Sequence, residues 1–513
     1  MASGFVIRKN QYYDSVFLMG VNKRLSEVKG VRQTAVLMGT EKNKRLLFDI
    51  GIQDAQIDAA QPDDLIVAVM ADDSVVVDAV LNQLDKWLLA SLESAPVSNL
   101  RTLSDGLTQK PGANLAVISV PGEYAGREAR QALEAGLHVF IFSSNVPIEE
   151  ELELKQFAAQ KGLLVMGPDC GTSLIGGVGI GFANSIRKGS IAAIGAAGTG
   201  LQEFTCQVHN AGYGISHAIG TGSNDLSDKI GGKTAFAALE ALEVDPQTEV
   251  IALISKPPGA KTLERLIERF ENVRKPVIGC FLGARLESKN ASGIFQSART
   301  IDEAVQLAIE GIGGKSILTL EISSQELAWI ARERAAWLPE QKYLSGLFAG
   351  GTFCYQSQQL FRDAGITVFS NAPLDQKYKL VHPDRSFEHT MVDMGDEYYT
   401  QGRPHPMIDG TLRMQRILVE SRNPELAILL LDFILGYNAS TDPVGELLDA
   451  ILEAKRVAQQ RRGHLTVVAS VCGTEGDSQD LKLQIKMLQE AGVIVFRSNA
   501  HAASFCCELL NRS

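Results

Sequence analysis

Apolar and polar positions change rhythm along this chain in a way that marks out domains. Near the start, short apolar runs at Phe5–Arg8, Gln33–Met38 and Leu65–Met70 predict strands. Helical spacing predicts helices over Ser15–Val28, Lys42–Ile50 and Ser74–Leu89. Periodicity alone fits either a small ferredoxin-like sandwich or a modified half of a nucleotide-binding fold. The polar, turn-rich stretch Ser94–Gln109 reads as a linker. Continuous apolar runs follow at Leu115–Val120, His138–Phe142 and Leu163–Met166, alternating with helices at Gly122–Ala135 and Pro147–Lys161. The rhythm restarts at Ile191–Ile194 and continues to Ile312. A charged helix, Ser324–Glu333, and Pro339 form a connector before a last strand set: Tyr343–Phe348, Ile366–Phe369, Ile428–Phe433, Leu465–Ser470 and Ile494–Phe496. Strands joined to helices by short turns predict parallel sheets, so the expected fold is α/β with several doubly wound, Rossmann- or flavodoxin-like domains.

Length supports that division, because 513 residues exceed what one core organises. Net charge of −11 makes the chain repel phosphate polymers, and no basic run with interleaved aromatics offsets it, so nucleic acid is not an expected partner. The most apolar stretch, Leu426–Leu435, is too short to span a bilayer and contains Asp432, which predicts a buried strand. The first residues carry no apolar signal core. Seven cysteines lie scattered without a CxxC pair. Together these features predict reduced core thiols and a cytoplasmic protein with no membrane attachment.

Chemistry concentrates where strands end. Gly195-Ala-Ala-Gly198-Thr199-Gly200 follows an apolar strand and opens a helix, a pattern that brings backbone N–H groups and a helix N-terminus to an anion. Gly220-Thr-Gly222-Ser223-Asn-Asp225 repeats the idea before a helix expected at Leu226. Gly346-Leu-Phe-Ala-Gly350-Gly351-Thr352 repeats it again. The turns at 195–200 and 220–225 follow neighbouring strands and are expected to share one ligand edge. Lys233 and Lys315 end sequences resembling a P-loop, but each lacks the first glycine, and both are read as solvated lysines. The stretch His389–Pro406 is dense in titratable groups. His389 and His405 are its acid–base candidates, and Asp393 with Asp396 can hold a hard cation such as Mg2+. His209, His217 and His501 have no partner at telling spacing and read as structural.

The middle of the chain, over about two hundred residues, resembles the α subunit of succinyl-CoA synthetases. Leu115-Ala-Val-Ile-Ser-Val-Pro121 and Gly162–Gly171 look like the second half of that family's CoA-binding domain. Ile194–Thr199, Ala211–Gly214, Gly220–Asp225 and Asp245-Pro-Gln-Thr-Glu249-Val-Ile251 look like its ligase domain. From Tyr343 onward the chain more loosely resembles the β subunit's C-terminal domain, and the whole layout resembles the FdrA family, described as acyl-CoA synthetase-like. On this resemblance the expected modules are a small α/β module over 1–100, a CoA-binding-like half over 101–187, a ligase domain over 188–318, a connector over 319–342 and a second ligase-like domain over 343–513.

Three departures from the synthetase pattern matter. Asn290, in Lys289-Asn-Ala-Ser-Gly-Ile294, stands where the resemblance puts the phosphorylated histidine, and a carboxamide cannot carry a phosphoryl group. Lys256 replaces the glutamate that holds the phosphohistidine. The first glycine-rich turn of the CoA-binding fold and the ATP-grasp domain have no counterpart. The resemblance to the FdrA family implies carbamoyl transfer between oxalurate and phosphate, of the oxamate carbamoyltransferase type, alongside companion subunits in an oligomer. Amides near Gly198–Gly200 and Gly222, with Lys256, would seat a carbamoyl phosphate, acyl phosphate or phosphate. A CoA-dependent acyl-CoA ligase, using CoA or a nucleotide, and a non-catalytic metabolite-binding scaffold are the alternative readings.

Overall fold

A computed structural model describes residues 2–511 except 12, 14, 27, 50, 91–99, 101, 285–293, 316–319 and 402. It divides into two compact units. The first is built on an antiparallel sheet in which Leu65–Ala71 lies between Ala2–Arg8 and Val31–Met38. Antiparallel pairing decides between the two sequence readings in favour of the ferredoxin-like one, because a nucleotide-binding half needs parallel strands. Val67 and Val69 face one apolar cluster and Ile66 and Ala68 another, so this central strand is buried on both faces. The expected helix over Ser74–Leu89 is broken at Gln83 into Ser74–Asn82 and Leu84–Ala90, the first capped by Asp73. Residues 103–109, read as linker, form a short helix capped by Thr102.

The second unit holds three sheets. Leu115–Ile118, His138–Ile141 and Val165–Met166 make a small parallel one. The next has seven strands, in the order Phe295–Ala298, Val277–Phe281, Val250–Ser255, Lys188–Gly195, Ile215–Gly220, Thr172–Ile175 and Val178–Gly181. Its first five strands are parallel; the last two are a hairpin that sequence periodicity did not reveal, because four-residue strands around Gly176-Gly177 leave too short a pattern. The third sheet is wholly parallel, in the order Phe369–Ser370, Thr390–Asp393, Tyr343–Phe348, Leu426–Ile434, Thr466–Cys472 and Ile494–Phe496. Leu426–Ile434 is buried along its full length, as its apolar run predicts. All seven cysteines are buried and free.

The expected helix at Leu226 begins instead at Lys233. Gly231 and Gly232 both have φ +73°, which ends one turn and starts the next, and the Asp225 carboxylate accepts from the Thr234 and Ala235 amides at 3.0 Å. Lys155 lies on the helix Ile148–Gln160, and its ammonium bonds Glu151 and Asp225 at 2.8 Å and the Thr221 carbonyl at 3.0 Å. All three side chains are buried. Removing the cation leaves two carboxylates without compensation, so Lys155→Met should cost about 3–5 kcal/mol in urea unfolding; a loss below about 1 kcal/mol would show that the cluster contributes little to folding.

Candidate functional site

Parallel strands deliver their carboxyl ends to one edge, and two long helices start there. Gly198–Asn210 follows the strand Lys188–Gly195, and Gly351–Asp363 follows Tyr343–Phe348. Neither helix has a capping side chain. The helices at Leu103, Ile301, Ser324 and Asn499, by contrast, are capped by Thr102, Thr300, Ser323 and Ser498. First-turn amides without acceptors, together with the helix dipole, make a seat for negative charge.

The two helix starts touch. A Cβ built on Gly200 would come within 3.1 Å of Thr352 Cγ2, and one on Gly350 within 3.1 Å of Thr199 Cβ. Lys256 closes the same edge, one residue past the strand Val250–Ser255 that pairs with Lys188–Gly195. Its ammonium lies 5.6 Å from the centre of the Tyr355 ring.

Two buried carboxylates shape the second helix start. Asp432 accepts from the Ala349 and Gly350 amides, both at 2.8 Å, and from Arg413 at 2.8 Å. Arg413 also donates to the carbonyls of Leu347 and Asp432. Burial pushes Asp432 upward and Arg413 downward, while each opposite charge counters the shift of the other. Asp393 ends its strand against Gly351, where an added Cβ would lie 2.5 Å from Oδ2. Burial pushes its carboxyl up to about 6, Lys256 pulls it down, and Asp396 adds to the rise.

His405 completes the group. A Cβ on Gly395 would meet His405 Nε2 at 2.8 Å, the Ala349 carbonyl at 2.9 Å and Asp393 Oδ1 at 3.2 Å. Nδ1 of His405 accepts from the Met407 amide at 3.2 Å, which assigns the proton to Nε2, and burial holds the ring neutral with its pKa near about 4.

Other expected residues lie elsewhere. His389 immediately precedes the strand Thr390–Asp393 that Asp393 closes, so the two sit at opposite edges of the sheet, about 13 Å apart along it. The His389 ring accepts from the Leu344 amide at 3.2 Å and packs edge-on against Tyr343, with burial lowering its pKa to about 4. The turn Gly220–Asp225 does not share the seat. Gly220 N donates to Ser173 Oγ and Thr221 N to the Gly195 carbonyl, both at 2.9 Å. Gly222, at φ +89°, packs on Pro168, and Ser223 is exposed. The segment Cys170–Thr172 lies against both Gly198 and Gly220, which separates the two turns. Gly195, behind Leu201, is buried and forms the floor. Asn290 lies outside the described residues. Asp396 uses Oδ1 to cap the Tyr398 amide, and the described residues contain no group of three or more metal-ligating side chains. Sequence reasoning missed Arg413, which does not break a helical pattern and is brought to this edge only by the fold; Thr352 stands in the glycine turn read from the sequence, without an assigned role. The His209 and His217 rings accept from the Arg187 and Gly176 amides, and His501 Nε2 lies 3.0 Å from a Glu326 carboxylate oxygen.

Family matches give this chain CoA-binding and CoA-ligase modules fused in a succinyl-CoA synthetase-like arrangement. Residues 186–275 match the family model described as "CoA binding domain", 347–506 that described as "CoA-ligase", and 1–100 that described as "AllF, heavy metal-associated domain". The first hundred residues contain neither cysteine nor histidine, so the soft metal donors there are the thioethers of Met1, Met19, Met38 and Met70. The chain belongs to the family of the "Uncharacterized protein YahF" of Escherichia coli (strain K12), to which it is 40% identical over 513 residues, covering 99% of each. It is 29% identical over 181 residues to the "Succinate--CoA ligase [ADP-forming] subunit alpha" of Methanothermobacter thermautotrophicus, spanning 35% of this chain and 60% of that subunit. A solved structure, the apo dinucleotide-forming acetyl-coenzyme A synthetase 1 of Ca. Korarchaeum cryptofilum, matches 77% of this chain and 82% of that one at 20% identity and a TM-score of 0.27.

The Asp393 shift sets a sign for anion binding. Below about pH 6 the carboxyl is neutral; above it, a negative charge stands against Gly351. Sulfate keeps its charge across this range. Its affinity, measured by calorimetry, should therefore fall roughly fivefold between pH 5 and 7.5, since a like charge this close costs on the order of 1 kcal/mol. Asp393→Asn should flatten the profile, and an unchanged slope in that variant would remove Asp393 from the seat.

Proposed function

We propose that the chain is a subunit of a transferase that moves a carbamoyl or acyl group between a small donor and inorganic phosphate, without a phosphohistidine. The observation that carries this reading is the contact between two uncapped helix starts, Gly198–Gly200 and Gly351–Thr352, beside Lys256. Amides fixed in that way stabilise oxygen charge that grows as a phosphate oxygen attacks a carbonyl carbon. In carbamoyl transfer a C–O bond to phosphate forms, the bond from the carbonyl carbon to the donor nitrogen breaks, and the departing nitrogen takes one proton. Asp393 is our candidate for its donor, because burial lets the carboxyl keep its proton up to about pH 6. Asn290 supports a route with no covalent carrier. The resemblance to the FdrA family leads to the same donor class, with oxamate as the carbamoyl acceptor in the reverse direction and companion subunits as partners.

A second reading, a CoA-dependent acyl-CoA ligase, is favoured by the family matches at 186–275 and 347–506. On that reading the same seat takes the phosphate of an acyl phosphate, and the CoA thiol replaces it at the carbonyl. No helix among the described residues is long and apolar enough to cross a membrane; work in the cytoplasm belongs to the proposal.

The test supplies carbamoyl phosphate and oxamate to the chain, with and without its companion subunits, and follows release of phosphate. Oxamate-dependent release is expected, falling about tenfold or more in Lys256→Ala. Turnover that requires CoA and ignores oxamate would establish the ligase reading instead. Acid-labile, base-stable label from ATP on the protein would overturn the route without phosphohistidine.

A further inference from the structure

We propose that Glu203 and Asp302 hold one proton between them at neutral pH, and that this proton latches the two lobes of the second unit, built on the seven- and six-stranded sheets. Glu203 lies inside the helix Gly198–Asn210, and Asp302 is the second residue of the helix Ile301–Gly311; they are 1% and 6% exposed. Both reach the same helix start in the other lobe. Ser498 Oγ donates to Asp302 Oδ1, and the Asn499 amide donates to Glu203 Oε1 at 2.9 Å, where the helix Asn499–Leu510 begins. Gln207 Nε2 also donates to Glu203 Oε1, at 3.0 Å. That leaves Asp302 Oδ2, which is buried and has no donor. A buried carboxylate oxygen in that state is costly. A proton on the neighbouring acid is the donor that the structure offers it.

The surroundings supply no compensating cation. Among the described residues, the bonding partners of the two acids include no lysine or arginine. The titratable groups around the pair are Glu303, Asp477, His501 and the buried thiols of Cys206, Cys280 and Cys472. Glu303 accepts from the Arg299 amide and Asp477 from Asn184 and Ser185, so both add negative charge. The thiols are neutral: burial raises Cys206 and Cys280, and the bond to Cys206 together with burial raises Cys472. His501 faces Glu326, whose carboxylate oxygen lies 3.0 Å from Nε2. Two carboxyls buried in one place without a cation do not both ionise. Burial and then the Asp302 charge push Glu203 up to about 8, and burial raises Asp302 as well. Glu203 is therefore the member that carries the proton at pH 7, with Asp302 Oδ2 as its acceptor. The latch reaches the candidate site from below. Glu203 belongs to the helix that Gly198 opens, and Gln356, on the helix that Gly351 opens, bonds Asn499 at 3.0 Å.

Separation of the lobes would return Glu203 to the ordinary carboxylate value of 4.5, whereas the closed seam holds it at about 8. The closed form is thus most favoured at low pH, and within this window each opening releases one proton. The opening equilibrium should rise about tenfold per pH unit from about pH 6 to about pH 8 and level off above. Hydrogen exchange of the full chain, followed by mass spectrometry and expressed as protection factors, reads that equilibrium at residues 499–506, with the helix Gly445–Gln460 as internal reference. Wild-type protection at 499–506 is expected to fall about tenfold per pH unit up to about pH 8, while the reference stays level. Glu203→Gln keeps the acceptor for Asn499 and gives Asp302 a fixed N–H donor, so its protection should stay level. Asp302→Asn removes the opposing charge; its fall should end at a lower pH and leave more protection than wild type at about pH 8. Should Glu203→Gln fail to fold, Asp302→Asn makes the comparison. Wild-type protection that ignores pH, or a fall shared equally by the reference helix, would overturn the latch. An undiminished fall in Glu203→Gln would take the proton off Glu203, and a wild-type profile in Asp302→Asn would overturn the pairing.

Discussion

Like poles of two helices meet at Gly198 and Gly351, and the partial positive charges of their first turns repel unless negative charge is brought near. The fold answers with buried carboxylates. Asp432 takes two amides just ahead of the second helix, and Asp393 lies against its first residue. Burial pushes the carboxyl of Glu203, inside the first helix, up to about 8, so at neutral pH it is largely protonated and adds little negative charge there. What these groups leave unneutralised is the outermost set of amides at 198–200 and 351–352. On the proposed reading, an anion from outside would complete the arrangement and link stability to ligand binding.

Beneath the seam the two large sheets are tied by reciprocal contacts. Glu203 of the first helix accepts from the Asn499 amide at 2.9 Å, at the start of the last helix of the second sheet. Gln356, on the second helix, accepts from the Ile301 amide at 3.0 Å, at the start of the last helix of the first sheet. Gln356 and Asn499 are themselves bonded at 3.0 Å. Each lobe thus caps a helix of the other with a side chain from the helix that opens its own seat. Asn184 and Ser185 add a second tie, to Asp477 at 2.8 Å. Such a hydrogen-bonded polar seam fixes register between lobes in a way that apolar packing alone does not.

Much of this was readable from residue order, and the reasons for what was not are physical. Strand runs such as Tyr343–Phe348 and Leu426–Leu435 are long and apolar, so their existence and parallel setting were legible. The glycine turns at 195–200 and 350–351 were also legible, because helix starts after strands leave a local signature. Which turns face each other was not. The pairing of 198–200 with 350–352, in place of 220–225, is set by contacts between residues some 150 positions apart and by a short hairpin that inserts Cys170–Thr172 between the neighbouring turns. His389 and Asp393 show the same limit at short range. Four residues separate them in sequence, yet an extended strand carries them to opposite edges of the sheet.

Arg413 carries that point into chemistry. As one basic residue on an amphipathic helix, it reads as a solvated charge. In the fold it is 3% exposed, and its guanidinium bridges the Leu347 carbonyl and the Asp432 carboxylate. An unpaired guanidinium could not remain there, and without it Asp432 would gain a proton and release one of the two amides it holds. The start of the second helix would then lose its fixed direction. The anion seat is thus oriented from behind by an ion pair that never meets the ligand, which is why a site made largely of backbone amides depends on two buried side chains that no local motif announces.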